Sequence, residues 1–275
     1  MSYASVIVFL DNSVASQRRL EFALQFAAKH QAHLTGIHLS YGSLMAYDPM
    51  GDVSGALIEW ERENKEKQLE AKEYFAKCAK NYDVNVDWDC YRDSEMNGVL
   101  ARARVADICI VGQPASDNYD IEVNRNFFTR FAISSGKPAL FIPNKKEFAP
   151  VFEKIVVAWN GGRESARAVT DAMPLLKAAR IVSVISVVSK NANNEDLPDV
   201  NIAEFLARHK VNVEIERDER KPAEAAEFIL SRADLKSADL LVMGAFGHTR
   251  FSEFILGGMT RAVLQKMALP VFMSH

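Results

Sequence analysis

Short apolar runs alternate along the chain with longer stretches whose apolar positions recur at helical spacing. The second half has five such runs, at residues 155–159, 180–188, 211–216, 239–244 and 269–275. Helices are predicted after the first run, with Ala166, Val169, Met173 and Leu176 on one face, and then near 199–209, from Pro222 onward and over about 253–267. Apolar strands separated by helices predict a parallel sheet that is covered on both faces.

The first half repeats this order. Residues 6–27 resemble 155–176, residues 106–114 resemble 238–246, and residues 129–143 resemble 260–274. The first half also has a longer second helix, predicted at 56–82, whose charges are expected to face solvent.

The polar, proline-containing stretch at 143–154 has the composition of a short linker. We therefore predict an α/β protein with two tandem units, at residues 1–146 and 147–275. Each unit is expected to form a doubly wound, Rossmann-like parallel sheet of five strands.

Composition narrows the classes of function. A net charge of −3 at pH 7 argues against a general nucleic-acid binder. No segment has the length and apolarity of a membrane span, and the first apolar run, which Asp11 interrupts, predicts a strand rather than a signal peptide. An odd number of cysteines, 3, without metal-like spacing predicts a reducing compartment and hence the cytoplasm. Cys109 is expected to be a small buried residue of a strand.

A glycine-rich stretch, GAFGHTRFSEFILGGMTR, begins at Gly244, where the run at 239–244 ends. In doubly wound sheets, ligands bind beyond the carboxyl ends of the strands, where the strand order reverses. Gly244 and Gly247 permit a tight turn and a close approach of backbone to ligand. Gly257 and Gly258 fall near the start of the last predicted helix, whose free N–H groups and dipole favour an anion such as phosphate.

Side chains of the same stretch add further donors. Thr260 supplies a hydroxyl, and Arg250 and Arg261 supply charge. His248 directly follows Gly247, and for it a ligand contact and a plain surface role stand as alternatives. The six histidines show no spacing that predicts a metal site. For His33 and His38, packing or a local hydrogen bond is the expectation.

The glycine stretch resembles the nucleotide-binding signature of the universal stress protein family. In that signature two residues separate the first two glycines, nine separate the second from the third, and Ser or Thr follows; Gly244, Gly247 and Gly257 match this spacing. The likeness extends to the strand-end acid Asp11, to the strands that precede Gly112 and Gly244, and to both closing strands. The chain is thus similar to a tandem member of this family, with the adenine nucleotide alpha hydrolase-like fold.

The resemblance implies a site for ATP or another adenine nucleotide, with or without Mg²⁺, in the second unit. The residues that match the family's phosphate contacts are Gly244, Ala245, Gly247, Gly257, Gly258, Met259 and Thr260. Ala158, Trp159 and Asn160 would approach adenine and ribose, and Val187 would offer backbone contacts to the adenine edge.

Two residues of the second unit depart from the family pattern. Asn160 stands where the family has an acid, so it can form hydrogen bonds but carries no charge. Gly258 stands where the family has Ser or Thr, so one hydroxyl donor is lost while the backbone N–H remains. Lower affinity, another nucleotide or a smaller anion are the alternatives that these changes leave open.

The first unit differs from the second at most of the corresponding glycine positions. It keeps Asp11, but Ala115 replaces the second glycine, and Asn126 and Phe127 replace the glycine pair. We expect this unit to have lost the phosphate cradle and either to hold another ligand or to act as the structural partner of the second unit.

The predicted function is a nucleotide-binding stress protein with a regulatory or sensing role. No Walker loop, no nucleophile elbow and no placed metal ligand is found, so hydrolysis is expected to be slow at most. A ligand-free scaffold and a nucleotide-hydrolysing enzyme are the alternatives. The two units are expected to pair through their closing strands as a pseudo-dimer, with homodimer formation left open.

Overall fold

The computed structural model describes residues 2–40, 53–92, 95–114, 131–188, 198–219, 224–245 and 258–275. The strands are β1 (Ser5–Leu10), β2 (His33–Ser40), β3 (Val86–Arg92), β4 (Ile108–Gly112), β5 (Ala139–Ile142), β6 (Lys154–Trp159), β7 (Ile181–Val188), β8 (Val213–Glu219), β9 (Leu240–Gly244) and β10 (Val271–Ser274). The helices are α1 (Val14–His30), α2 (Val53–Ala79), α3 (Met96–Ala103), α4 (Arg163–Asp171), α5 (Met173–Ala178), α6 (Pro198–Arg208), α7 (Ala225–Leu235) and α8 (Gly258–Lys266).

The two halves have the same strand order and share one sheet of ten strands. The order is β3-β2-β1-β4-β5-β10-β9-β6-β7-β8, so β6–β10 repeat the places of β1–β5. Neighbouring strands are parallel except β5 and β10, which pair antiparallel with Phe141 opposite Val271. The predicted α/β fold with parallel sheets is confirmed. The strand order reverses between β1 and β4 in one half and between β6 and β9 in the other.

The inner strands are buried on both faces, which explains why they lack the polar alternation that the edge strands β3 and β8 show. One face packs against α1, α2 and α4–α6, with Phe22 and Leu176 in the core. The other face packs against α3, α7 and α8, with Val99 and Val263 in the core. Cys109 is fully buried in β4, as its apolar surroundings predict.

Contacts outside the sheet also join the two halves. The Tyr3 hydroxyl donates to the carbonyl of Asp171 at 2.8 Å, and Gln113 Nε2 donates to the carbonyl of Leu264 at 2.9 Å. In the described part of the chain, no helix combines the length and the apolarity that a membrane crossing needs. Pro222 and residues 253–257, where helix starts were predicted, lie outside the described residues.

Candidate functional site

The carboxyl ends of three strands meet at one edge of the second half. β6 lies between β7 and β9 and runs parallel to both. Trp159 ends β6 and Asn160 follows it, Val187 stands near the end of β7, and Gly244 ends β9. Ala158 is buried in β6, while Trp159 and Val187 are partly exposed. The fold thus brings together these residues of the predicted site at the point where the strand order reverses.

Gly244 lies directly against the start of α4. A Cβ atom at this position would lie 2.6 Å from both the carbonyl carbon of Glu164 and the nitrogen of Ser165. The next residue, Ala245, is buried, and its N–H donates to the carbonyl of Ser274 at 2.8 Å. The end of β9 is therefore held on one side by a helix start and on the other by the end of β10.

The first turn of α8 carries three further residues of the predicted site. Thr260 is buried, and Met259 packs against the same core cluster that contains Ala245. Gly258 is exposed, and a Cβ atom there would meet nothing within 4 Å. This position therefore has open space beside it. The other predicted residues of the cradle lie outside the described residues: Gly247, His248 and Gly257.

The loop between β6 and α4 presents polar groups at this edge. The Oδ1 atom of Asn160 accepts a hydrogen bond from Gly162 N at 3.0 Å, and Gly161 has a φ of 71°. Gly162 is the N-cap of α4, and no side chain caps this helix. Within the described residues, Asn160 Nδ2 donates to no acceptor. A ligand at this edge would therefore meet free N–H donors from the loop and the helix start.

Ser186 belongs to the same region, and sequence reasoning missed it. Its hydroxyl is fully buried and has no hydrogen-bond partner among the described residues. It pairs in register with Trp159 of β6, so it lies next to the strand end that the site was predicted to use. A buried hydroxyl without a partner costs about 1–3 kcal/mol. The one available signal was a serine that interrupts an otherwise apolar strand close to Val187.

The first half fills the corresponding edge with its own arginine. Asp11, which corresponds to Asn160, accepts from Ser13 N at 2.8 Å. Arg19 is 4% exposed; its Nη2 donates to Asp11 Oδ2 at 3.0 Å and its Nε donates to the carbonyl of Phe9 at 2.7 Å. A Cβ atom at Gly112 would overlap the Arg19 guanidinium. The arginine therefore lies across the point where the strand order reverses in this half.

The ion pair sets the charge state of Asp11. Burial raises the pKa of its carboxyl, but the attraction of Arg19 and the hydrogen bonds from Ser13 and Arg19 outweigh burial and hold the pKa below its usual value. In the repeat, Ala168 stands in the second half where Arg19 stands in the first, and Ala168 is fully buried in α4. The second half therefore lacks both members of this ion pair.

Other polar groups of the first half are also satisfied within the chain. His38 Nε2 and Asn12 Oδ1 lie 2.9 Å apart, so the local hydrogen bond expected for His38 is confirmed. Asn12 Nδ2 donates to the carbonyl of Lys67 on α2 at 3.0 Å. Gln68, also on α2, donates to Ser40 Oγ at 2.7 Å. The long second helix thus covers this strand edge and supplies partners to it.

The second half has smaller residues at the corresponding positions. His38 pairs in register with Leu10, as Ser186 does with Trp159, so Ser186 takes the place of His38. Gly161 takes the place of Asn12 in the repeat. One edge is therefore closed by its own hydrogen bonds, and the other leaves polar groups without partners. Ala115, Asn126 and Phe127, on which the predicted loss of the first cradle was based, lie outside the described residues.

Comparison with known proteins gives a family match for the second half. The model of the universal stress protein family matches residues 152–275. A universal stress protein of Synechocystis sp. is 28% identical over 146 residues, which cover 52% of this chain. The match spans about half of that relative, 48% of its length.

Solved structures resemble the whole chain in fold. A universal stress protein from Archaeoglobus fulgidus superposes with a TM-score of 0.73 at 14% identity, covering 98% of this chain and 95% of the other. A functionally unknown protein from Pseudomonas aeruginosa gives a TM-score of 0.59 at 18% identity, covering 99% of this chain and 92% of the other. At these identities the likeness concerns the fold, and it extends over both halves.

Proposed function

We propose that residues 152–275, which the model of the universal stress protein family matches, form a domain that binds ATP or another adenine nucleotide. The proposed role is regulation or sensing in a stress response, with slow hydrolysis at most. The observation that carries the proposal is the contrast between the two strand edges. The first half satisfies its polar groups through Arg19 and α2, whereas in the second half Asn160 Nδ2 and Ser186 Oγ have no partner among the described residues.

The described residues of the second half fit a nucleotide. A base and a ribose need hydrogen-bonding groups next to apolar surface, and Asn160 beside the partly exposed Trp159 supplies both. Phosphate needs free N–H groups and space, and Gly258 at the start of α8 has open space beside it. We propose that Gly247, His248 and Gly257 complete the phosphate cradle, and that Mg²⁺, where it takes part, binds the phosphate oxygens.

Binding to the purified chain tests the proposal directly. Nucleotides released on denaturation are identified by mass spectrometry, and ATP, ADP, AMP and cyclic AMP are titrated by calorimetry. We expect one adenine nucleotide per chain, because among the described residues the first half fills its strand edge with Arg19 and the second half does not. Failure to release or bind any of these nucleotides would support a ligand-free scaffold instead. Rapid multiple turnover of ATP would show that the protein is an enzyme. Two bound nucleotides per chain would contradict the inference that Arg19 fills the strand edge of the first half.

A pair of matched variants locates the site. Gly258→Phe places an aromatic ring in the open space at the start of α8 and makes this position resemble Phe127 of the first half. We expect the variant to fold and to lose nucleotide binding. The control, Phe127→Leu, changes the corresponding residue of the first half and should leave the affinity unchanged.

We further propose that the two units, residues 1–146 and 147–275, form a pseudo-dimer within one chain. The antiparallel pairing of β5 with β10 and the hydrogen bond from Gln113 to Leu264 support this proposal. Light scattering after size-exclusion chromatography distinguishes a monomeric chain from a further homodimer. We also place the protein in the cytoplasm, since its cysteines, Cys78, Cys90 and Cys109, are free thiols.

A further inference from the structure

A second carboxylate lies where the second half has lost its strand-end acid. Glu164 stands in the first turn of α4, and only 13% of its side chain is exposed. A Cβ atom at Gly244 would lie 2.9 Å from the Cβ of Glu164. The stem of this side chain is therefore packed against the end of β9, at the point where the strand order reverses.

The hydrogen-bonding capacity of Glu164 is largely unused. Its Oε1 lies 3.1 Å from Nη2 of Arg163, and the side chain of Arg163 is 80% exposed. Its Oε2 has no hydrogen-bond partner among the described residues. A carboxylate that is mostly removed from water needs donors on both oxygens. The arginine is largely exposed, whereas the stem of Glu164 packs against the end of β9.

The pair belongs to the second half alone. In the repeat, Val14 and Ala15 stand where the second half has Arg163 and Glu164. The first half has its acid at Asp11, before the helix, and neutralises it with Arg19. The second half has a neutral amide at Asn160 and an acid four residues later, at Glu164, and among the described residues the cation paired with this acid is the exposed Arg163.

We propose that Glu164 binds the ribose hydroxyls of the nucleotide and thereby replaces the acid that Asn160 lacks. This assignment rests on the proposed function of the second half. A carboxylate can accept hydrogen bonds from both hydroxyls of a ribose, as acids at the corresponding edge of dinucleotide-binding folds do. The same negative charge repels a phosphate on the ribose. The site therefore selects ribonucleotides with free 2′ and 3′ hydroxyls over ribose-phosphorylated ones.

A purely structural role for Glu164 makes a different prediction. Acidic residues in a first helical turn stabilise the helix because they interact favourably with its dipole, and a surface ion pair with Arg163 adds a small amount of stability. In that case, removal of the carboxylate lowers stability but leaves the preference for ribose hydroxyls unchanged. Measuring stability and ligand preference on the same variants separates the two roles.

The experiment compares the affinities of three ligands in the unmodified chain and in two variants of Glu164. ATP, 2′,3′-dideoxy-ATP and adenosine 3′,5′-bisphosphate are titrated by calorimetry into the full chain and into Glu164→Gln and Glu164→Ala. The unmodified chain should bind ATP at least about tenfold more tightly than the dideoxy analogue, because the analogue cannot form a hydrogen bond to the charged carboxylate and such a bond is worth at least this factor in affinity. Both variants should lose most of this difference, and they should bind the bisphosphate more tightly than the unmodified chain does. Thermal melting shows that each variant is folded.

Arg163→Ala is the matched control, since it breaks the ion pair but keeps the carboxylate. It should retain the preference for ATP over the dideoxy analogue. Equal loss of preference in Arg163→Ala and Glu164→Ala would overturn the assignment, and so would a preference that persists in both Glu164 variants. In those two outcomes ATP still binds, so the proposed function stands. Failure of the unmodified chain to bind any of ATP, ADP, AMP and cyclic AMP would overturn the proposed function, and this assignment with it.

Discussion

Replacing Gly244 with alanine tests how tightly α4 is held against β9 at the candidate site. The new methyl group would lie 2.6 Å from two backbone atoms, the carbonyl carbon of Glu164 and the nitrogen of Ser165. Favourable contacts between carbon atoms lie at about 3.5–4.0 Å, so the helix start or the strand end must move by about 1 Å. Overpacking of this kind costs about 1–3 kcal/mol. For a loss of about 2 kcal/mol, a chain of this size should melt about 4–8 °C lower.

Differential scanning calorimetry at one protein concentration measures the effect, with two other glycines as controls. A Cβ at Gly258 meets nothing within 4 Å, so Gly258→Ala should melt at or slightly above the temperature of the unmodified chain. Gly112→Ala should destabilise, because its methyl group displaces the Arg19 guanidinium from the pair with Asp11. An unchanged melting temperature for Gly244→Ala would refute the close packing of α4 on β9, from which the position of Glu164 was argued.

Three further predictions concern buried polar groups. Arg19→Met removes the charged donor that Asp11 Oδ2 and the carbonyl of Phe9 share, so urea unfolding should show a loss of about 2–4 kcal/mol while nucleotide affinity stays unchanged. The pKa of Asp11 is lower in the folded chain than in the unfolded chain, so its carboxylate contributes to stability above the unfolded pKa of about 4. This contribution is lost as the pH falls through the folded-state pKa. In urea titrations at acid pH, the stability difference between the unmodified chain and Asp11→Asn should therefore shrink. Ser186→Ala removes an unpartnered buried hydroxyl, so thermal melting should show unchanged or higher stability, by up to about 1 kcal/mol; a clear loss would reveal a hydrogen bond that the described residues do not show.

The sheet could be predicted from the sequence because a strand that is buried on both faces has a continuous apolar run. Every residue of β4 is buried, and its apolar run at 108–112 follows directly from that. In β9 every residue except the last, Gly244, is buried, so the repeat itself is visible as two similar apolar runs. The antiparallel register of β5 on β10 could not be predicted, because both strands are short apolar runs that fit several registers equally well.

The partners of polar side chains were the part that sequence reasoning missed. Arg19 lies on α1 in a segment with other polar residues, and its pattern alone does not separate it from a solvated position. It is buried because the end of β4 has no side chain at Gly112 and Asp11 stands beside it. From its sequence context, Glu164 cannot be told apart from any other acid of a first helical turn. Its burial depends on how close α4 lies to β9, and that distance is a tertiary property without a local sequence signal.

Asn160 is easier to understand once the ion pair of the first half is known. From the sequence alone, Asn160 stands where the family has an acid, and lower nucleotide affinity is one of the alternatives that this change leaves open. The structure shows that the corresponding acid, Asp11, is held by Arg19, whereas Ala168 offers no cation. An aspartate at position 160 would precede α4 without that guanidinium and with the acidic Glu164 in the first turn of the helix. Two like charges at one strand edge repel each other, so the neutral Asn160 and the acidic Glu164 belong together. The two halves therefore differ at corresponding positions: among the described residues, the strand edge of the first half carries the ion pair of Asp11 and Arg19, whereas that of the second half carries Asn160 and Ala168.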